Sequence, residues 1–311
     1  MKISKLAGLV SVVALGGCIA TTFPYMRAET AQRIAAPAWM IKRDIVAAPY
    51  QLRAYERIHE RGGVANIYIE GEGSEFTSPL EWKDNPTPKN PVALHLASKD
   101  RAENVIYLAR PCQYNETISK TACDQRSWKE DRFSPEVIES FNIALDDIIN
   151  RYDIKAVNLI GYSGGAAIAT LLAAKRKDVL SIRTVSGILD HKMQRSILEM
   201  EELENSLNPV DVAPQLKRTP QYHFIGGQDR FVPPAVLHSY LQAMPQSNCV
   251  QTMLVQEARY EEGWVNKWSE LLALPVTCYG KVNISHDFGE ITPPAPPKEP
   301  VFIVREKPAK P

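Results

Sequence analysis

"NLIGYSGGAAIA", Asn158 to Ala169, decides the fold. An apolar run leads into a Gly, one residue, a Ser, two Gly residues and a string of small helix formers. The pattern reads as strand, sharp turn and helix, with Ser163 on the turn. Gly161-Tyr162-Ser163-Gly164-Gly165 matches G-x-S-x-G in the strand-to-helix context where that pattern carries chemistry. A side chain two residues before or after the Ser would collide with neighbouring backbone, so Gly is needed at both places. The hydroxyl then stands at a helix N-terminus, where free N–H groups and the dipole favour negative charge. A tight turn with a bystander Ser would leave the correct flanks unexplained. Ser163 is therefore the candidate nucleophile.

The same alternation continues outward. Strands are expected over 64–69, 104–109, 156–160, 181–186, 222–225 and 250–255. Helices are expected over 91–98, from Pro135 to about Tyr152, from the Ser163 turn to about Lys177, over 233–244 and over 263–273. Ser134 before Pro135 is a strong helix start, a Ser cap followed by Pro at the first helical position. Strands alternating with helices imply an α/β fold, a mostly parallel sheet covered on both faces. The stretch 79–91 is a Pro-rich loop. The stretch 113–133 is a polar excursion expected to cap a pocket.

Acyl transfer at Ser163 needs an oxyanion hole. Its first donor would be the backbone N–H of Gly164. The second should come from the loop after an earlier strand. Glu70-Gly71-Glu72-Gly73 follows the strand over 64–69, and the expected donor is the N–H of Glu72, with Gly71 letting the backbone approach. A carboxylate that orients the base should come later in the chain, at a strand end. Asp229 in "HFIGGQDRFVPP" fits, and Asp190 in "SGILDH" is its competitor.

On these residues the chain resembles an α/β-hydrolase, and more narrowly the bacterial exported α/β-hydrolases of the serine hydrolase superfamily. "YIEGEG", "NPTPKNP", "YLARPCQY", "RFSPEVI", "GYSGG", "SLNPVDVAP" and "HFIGGQDRFVPP" carry the resemblance, from about Arg53 to Cys278. It implies serine hydrolysis of an ester, thioester or amide. It also implies a His in the loop after the last strand. That loop, Glu257 to Trp264, has none, and Tyr260 stands at the expected position.

A phenol with an ordinary pKa near 10 is a poor proton acceptor at neutral pH. Of the six His residues, His59, His95, His223 and His238 suit core or surface roles. His191 lies at a strand end near the site. His286 is the alternative base, being the one His after Asp229 that lies in a loop. If Cys278 is fixed at the bottom of the sheet, the eight residues to His286 span at most about 27 Å, barely enough for a strand of roughly 17–20 Å. A non-catalytic envelope protein that keeps the pocket for binding is the competing reading.

The chain has 311 residues, 44% of them hydrophobic, enough for one large domain. Charged residues are 23% and the formal net charge is zero, which argues against nucleic acid as a partner. A small-molecule ester-like substrate or ligand is expected, with no cofactor. Lys2, Lys5, the apolar Leu6–Leu15 and Leu15-Gly16-Gly17-Cys18 resemble a bacterial lipoprotein signal. Lipid on Cys18 would hold the protein in the cell envelope, on the periplasmic side and at the outer membrane in a Gram-negative cell. Cys112, Cys123, Cys249 and Cys278 then remain. They allow three connectivities, and the favoured one joins Cys112 to Cys123 and Cys249 to Cys278. No His/Cys spacing supports a metal site. The expected organisation is a signal over 1–17, a spacer and helical lead-in over 18–52, the hydrolase domain over 53–288 and a Pro-rich tail over 289–311.

Overall fold

The computed structural model describes residues 25–77, 79–82, 84–114, 123–244 and 246–279. Cys18, His286 and the Pro-rich tail lie outside them. Eight strands form one sheet: β1 (Ile41–Ala47), β2 (Tyr50–Ile58), β3 (Val64–Ile69), β4 (Asn104–Leu108), β5 (Ala156–Tyr162), β6 (Val179–Val185), β7 (Gln221–Gly226) and β8 (Val250–Val255). Their order is β1-β2-β4-β3-β5-β6-β7-β8. The pairs β1–β2 and β2–β4 are antiparallel, and every pair from β4–β3 to β7–β8 is parallel.

Period-two side-chain alternation splits the core between the two faces. Ala65, Ile67, Ile69, Val157 and Leu159 pack with Phe141, Leu145, Ile168 and Leu172 of the Pro135–Tyr152 and Gly164–Lys175 helices. On the other face Tyr68, Ile160 and Tyr162 pack with Leu94 and Leu96 of the Val92–Lys99 helix, and with Trp264 and Trp268 of the Trp264–Ala273 helix. Ser134 caps as expected, its Oγ accepting the Val137 N–H at 3.3 Å.

The main departure from the sequence reading lies at the N-terminus. The sheet begins at Ile41, not at 53, because β1 and β2 belong to it. β1 is an edge strand with Lys42, Arg43 and Asp44 exposed, and only Ile45 and Ala47 buried. An edge strand blunted by charge carries little apolar signal. Both favoured disulfides are present, Cys112–Cys123 and Cys249–Cys278. Cys249 directly precedes β8, so the second bridge pins Cys278 at the N-terminal end of that strand, the end opposite Ser163.

Candidate active site

β5 delivers Ser163 to the C-terminal edge of the sheet, and the Gly164–Lys175 helix begins directly after it. Ser163 has φ 53° and ψ −120°, a strained conformation for a residue with a Cβ. The flanking glycines make the turn possible. A Cβ on Gly161 would lie 2.4 Å from Ala166 N, and one on Gly165 would lie 2.1 Å from Ile69 O. The backbone is tied down by Ser163 N donating to Val185 O at 2.9 Å and Ile188 N donating to Ser163 O at 3.1 Å.

The Ser163 hydroxyl is buried between two side chains. It donates to Glu72 Oε2 at 2.8 Å, and its Oγ lies 2.7 Å from the Tyr260 hydroxyl. Because the Ser163 proton goes to Glu72, Tyr260 is the donor in the second bond. Burial first, and then the Glu72 charge, raise the Tyr260 pKa well above the ordinary phenol value. The phenol is thus neutral and a donor, not a proton acceptor. Its ring lies edge-on to Phe76 and Phe231, each 5.4 Å away between centroids. Tyr162 holds the backbone from behind, its hydroxyl donating to Tyr260 O at 2.9 Å.

Glu72 does something the sequence reading did not anticipate. The expectation gave it a backbone N–H at the oxyanion position. What reaches that position is its carboxylate, whose Oε2 also accepts the Gly164 N–H at 2.9 Å. The absence of a side chain at Gly164 permits this, since a Cβ there would lie 1.9 Å from Glu72 Oε1. Trp82 fixes the Glu72 backbone, its indole N–H donating to Glu72 O at 2.7 Å. Gly71 lies under Tyr162 and Ser163, where a Cβ would meet the Ser163 Cβ at 3.1 Å.

Arg110, at the end of β4, faces the other Glu72 oxygen. Its Nη1 is 3.5 Å from Oε1, a charge contact longer than a hydrogen bond. Its Nη2 donates to Arg132 O at 2.6 Å, and its guanidinium lies 5.0 Å above the Phe133 ring. Burial lowers the Arg110 pKa, partly offset by Glu72. Arg132 pairs with Glu75 Oε2, and Arg195 Nη1 lies 3.6 Å from Glu75 Oε1. Three guanidinium groups therefore share two carboxylates beside Ser163. Sequence reasoning missed this cluster. The available signal was Arg110 directly after the wholly buried strand β4.

Asp229 is positioned but not coupled. Its Oδ1 accepts the N–H groups of Phe231 and Val232 at 2.8 and 3.1 Å; among the described residues its buried Oδ2 has no well-formed hydrogen bond. It does not hydrogen-bond Tyr260, so the expectation that it would back the Tyr260 phenol fails in that respect. Burial raises its pKa, with the nearby Ser186 hydroxyl acting to lower it. The loops after β7 and β8 still meet, with Gln228 N donating to Ala258 O at 2.9 Å. Asp190, the competitor, caps the His191–Ile197 helix. Its Oδ1 accepts Lys192 N, Met193 N and the Asn208 amide, and its Oδ2 accepts the Ser239 hydroxyl. Both of its oxygens are thus engaged in holding this helix and its neighbours.

Among the described residues no His hydrogen-bonds Ser163. His191 is buried 5.9 Å from Phe133 between ring centroids, and His223 sits in β7 bonded to Thr184, its pKa pushed down to about 3 by burial. Of the stretch over 113–133, Gln113, Arg132 and Phe133 reach the site. The Gln113 amide donates to Gly71 O at 2.9 Å, and Arg132 and Phe133 pack on Arg110.

The strand order and the Ser163 turn together define an α/β-hydrolase fold. Solved structures agree. The chain is similar to the Pyrococcus furiosus esterase Pf2001, at 12% identity and a TM-score of 0.54 over 76% of this chain and 90% of that one. It is similar to the Pyrococcus horikoshii acylaminoacyl peptidase, at 11% identity and a TM-score of 0.56 over 78% of this chain and 43% of that one. It is also similar to Est1E from Butyrivibrio proteoclasticus, at 10% identity and a TM-score of 0.51 over 74% and 95%. No protein-family model and no curated relative matches the sequence.

Proposed function

We propose that the protein is a serine hydrolase acting on a carboxylic ester, thioester or amide, with Ser163 as nucleophile and a base that is not imidazole. The observation that carries this is the Ser163 turn at φ 53°, with its Oγ donating to a buried carboxylate at 2.8 Å. Of the two described groups in reach of Oγ, Glu72 is the one that accepts a proton, since Tyr260 is a neutral donor. A carboxylate is a weak base toward a hydroxyl. The acceleration available from a well-matched base, about 10²–10⁴, is largely forgone. The oxyanion donor Gly164 N–H is also held by Glu72 and must be released before it can take a carbonyl oxygen. Turnover of simple esters is therefore slow.

The test is hydrolysis of p-nitrophenyl esters and acyl thioesters of several chain lengths by wild type and Ser163→Ala. Slow turnover that disappears in Ser163→Ala supports the proposal. A wild type no faster than Ser163→Ala on every substrate favours the binding-protein reading. The signal-like segment ending at Cys18 further supports attachment to the cell envelope through lipid. Cys18→Ala should shift the protein out of the membrane fraction or leave it unprocessed, and a wild type lacking lipid at Cys18 would rule this out.

A further inference from the structure

The Ser163 site holds a carboxylate, and that carboxylate is its own. Glu72 Oε2 takes the Gly164 N–H at 2.9 Å, at the N-terminus of the twelve-residue Gly164–Lys175 helix. Glu72 Oε1 faces Arg110 Nη1 at 3.5 Å. Arg110 is almost wholly buried, and its Nη1 makes no hydrogen bond. A guanidinium kept out of water needs an anion and good geometry, and here the geometry falls short of a hydrogen bond.

We infer that this is a site for substrates whose acyl group carries a carboxylate close to the scissile carbonyl, the substrate anion taking Arg110 as Glu72 withdraws. The charge arrangement requires an anion. If Glu72 swings off Gly164 and Arg110 with nothing in its place, Arg110 loses its carboxylate contact, while Arg132 and Arg195 keep Glu75. A neutral acyl group cannot meet the Arg110 charge, and a substrate carboxylate can. The spacing sets the length. One carboxylate group now spans both positions, so the substrate's anion lies within a few bonds of its carbonyl, as in a succinyl or shorter half-ester. The carbonyl oxygen then meets the freed Gly164 N–H, while Glu72 stays within reach of the Ser163 proton. Glu72 is thus an internal competitor for the anion it resembles, and the competition disfavours neutral esters.

This deepens the hydrolase reading, but its test does not depend on turnover. Calorimetry would compare succinate with its neutral analogue succinamide on wild-type, Glu72→Gln and Arg110→Gln protein. Loss of the competing charge should let Glu72→Gln bind succinate at least tenfold more tightly than wild type, with no matching gain for succinamide. Arg110→Gln should lose succinate binding. If that variant does not fold, the succinate-to-succinamide contrast in Glu72→Gln decides alone. Equal gains for both ligands, or no gain for succinate, would overturn the inference. Monomethyl succinate and methyl butyrate separate the two readings. Faster turnover of the neutral ester sinks the anion site and leaves the hydrolase standing. Succinate binding without turnover of either ester does the reverse.

Discussion

Replacing Tyr260 by His should not by itself make a fast esterase. The change supplies a proton acceptor where the fold expects one, and a positioned base is worth about 10²–10⁴ in rate. Two features of the structure hold the gain near the bottom of that range. An imidazole is shorter than a phenol, so its Nε2 will stand further from Ser163 Oγ than the 2.7 Å that the Tyr260 hydroxyl reaches. The Glu72 carboxylate also still holds the Gly164 N–H. Asp229 favours the repair, because among the described residues its Oδ2 has no well-formed hydrogen bond and can accept from the new ring.

Glu72→Gln alone removes the present proton acceptor and should lower activity on neutral esters. It also replaces a charge-assisted hydrogen bond to Gly164 with a neutral one roughly half as strong. The double variant, Tyr260→His with Glu72→Gln, therefore gains a base and a releasable oxyanion donor together. We expect roughly 10²-fold from Tyr260→His. The second change should add about 10- to 100-fold, part of the roughly 10²–10³ attributed to one oxyanion donor. The assay is p-nitrophenyl butyrate hydrolysis against a Ser163→Ala blank, with melting curves to confirm folding. Two results would refute the reasoning. One is a Tyr260→His single variant that already reaches the top of the range. The other is a folded double variant no faster than that single one.

Three further outcomes follow from the fold. Burial pushes Glu70 up to about 7 from its ordinary 4.5. The folded state thus holds a proton that the unfolded state has lost, and stability from this group falls as pH rises from about 4.5 to 7. The loss amounts to roughly 3 kcal/mol at most. Glu70→Gln should flatten that slope in urea titrations at several pH values, and an unchanged slope would count against the assignment. Breaking the Cys249–Cys278 bridge with paired Ser substitutions should lower stability by about 2–4 kcal/mol, read as a shifted denaturation midpoint; no shift would mean that the bridge constrains nothing. Gly161→Ala places a Cβ 2.4 Å from the Ala166 backbone and should fold poorly or not at all. A soluble variant with wild-type melting would show that the turn is laxer than described.

The sequence revealed the part of the fold that rests on unambiguous apolar runs. β3, β4 and β5 read correctly because burial on both faces leaves few polar residues in them. β1 and β2 did not, because an exposed edge and a strand carrying Arg53, Glu56 and Arg57 look like polar lead-in. The site divides in the same way. The positions of Ser163, Asp229 and Tyr260 after β5, β7 and β8 were legible, because each follows a strand and the topology brings strand ends together. The Glu72 carboxylate was not. Its placement depends on the missing side chain at Gly164, and on Arg110, which comes from the neighbouring strand. A motif specifies where a backbone passes, and it does not specify which side chain fills the space the backbone leaves.

Among the described residues the Ser163 hydroxyl is held by a carboxylate and a neutral phenol, and by no imidazole. Time-resolved labelling with a fluorophosphonate, with the modified peptide mapped by mass spectrometry, tests it most directly. Labelling should be slow and confined to Ser163, absent in Ser163→Ala and faster in the double variant of Tyr260→His and Glu72→Gln. Rapid labelling of wild-type Ser163 at neutral pH, abolished by His286→Ala, would contradict it.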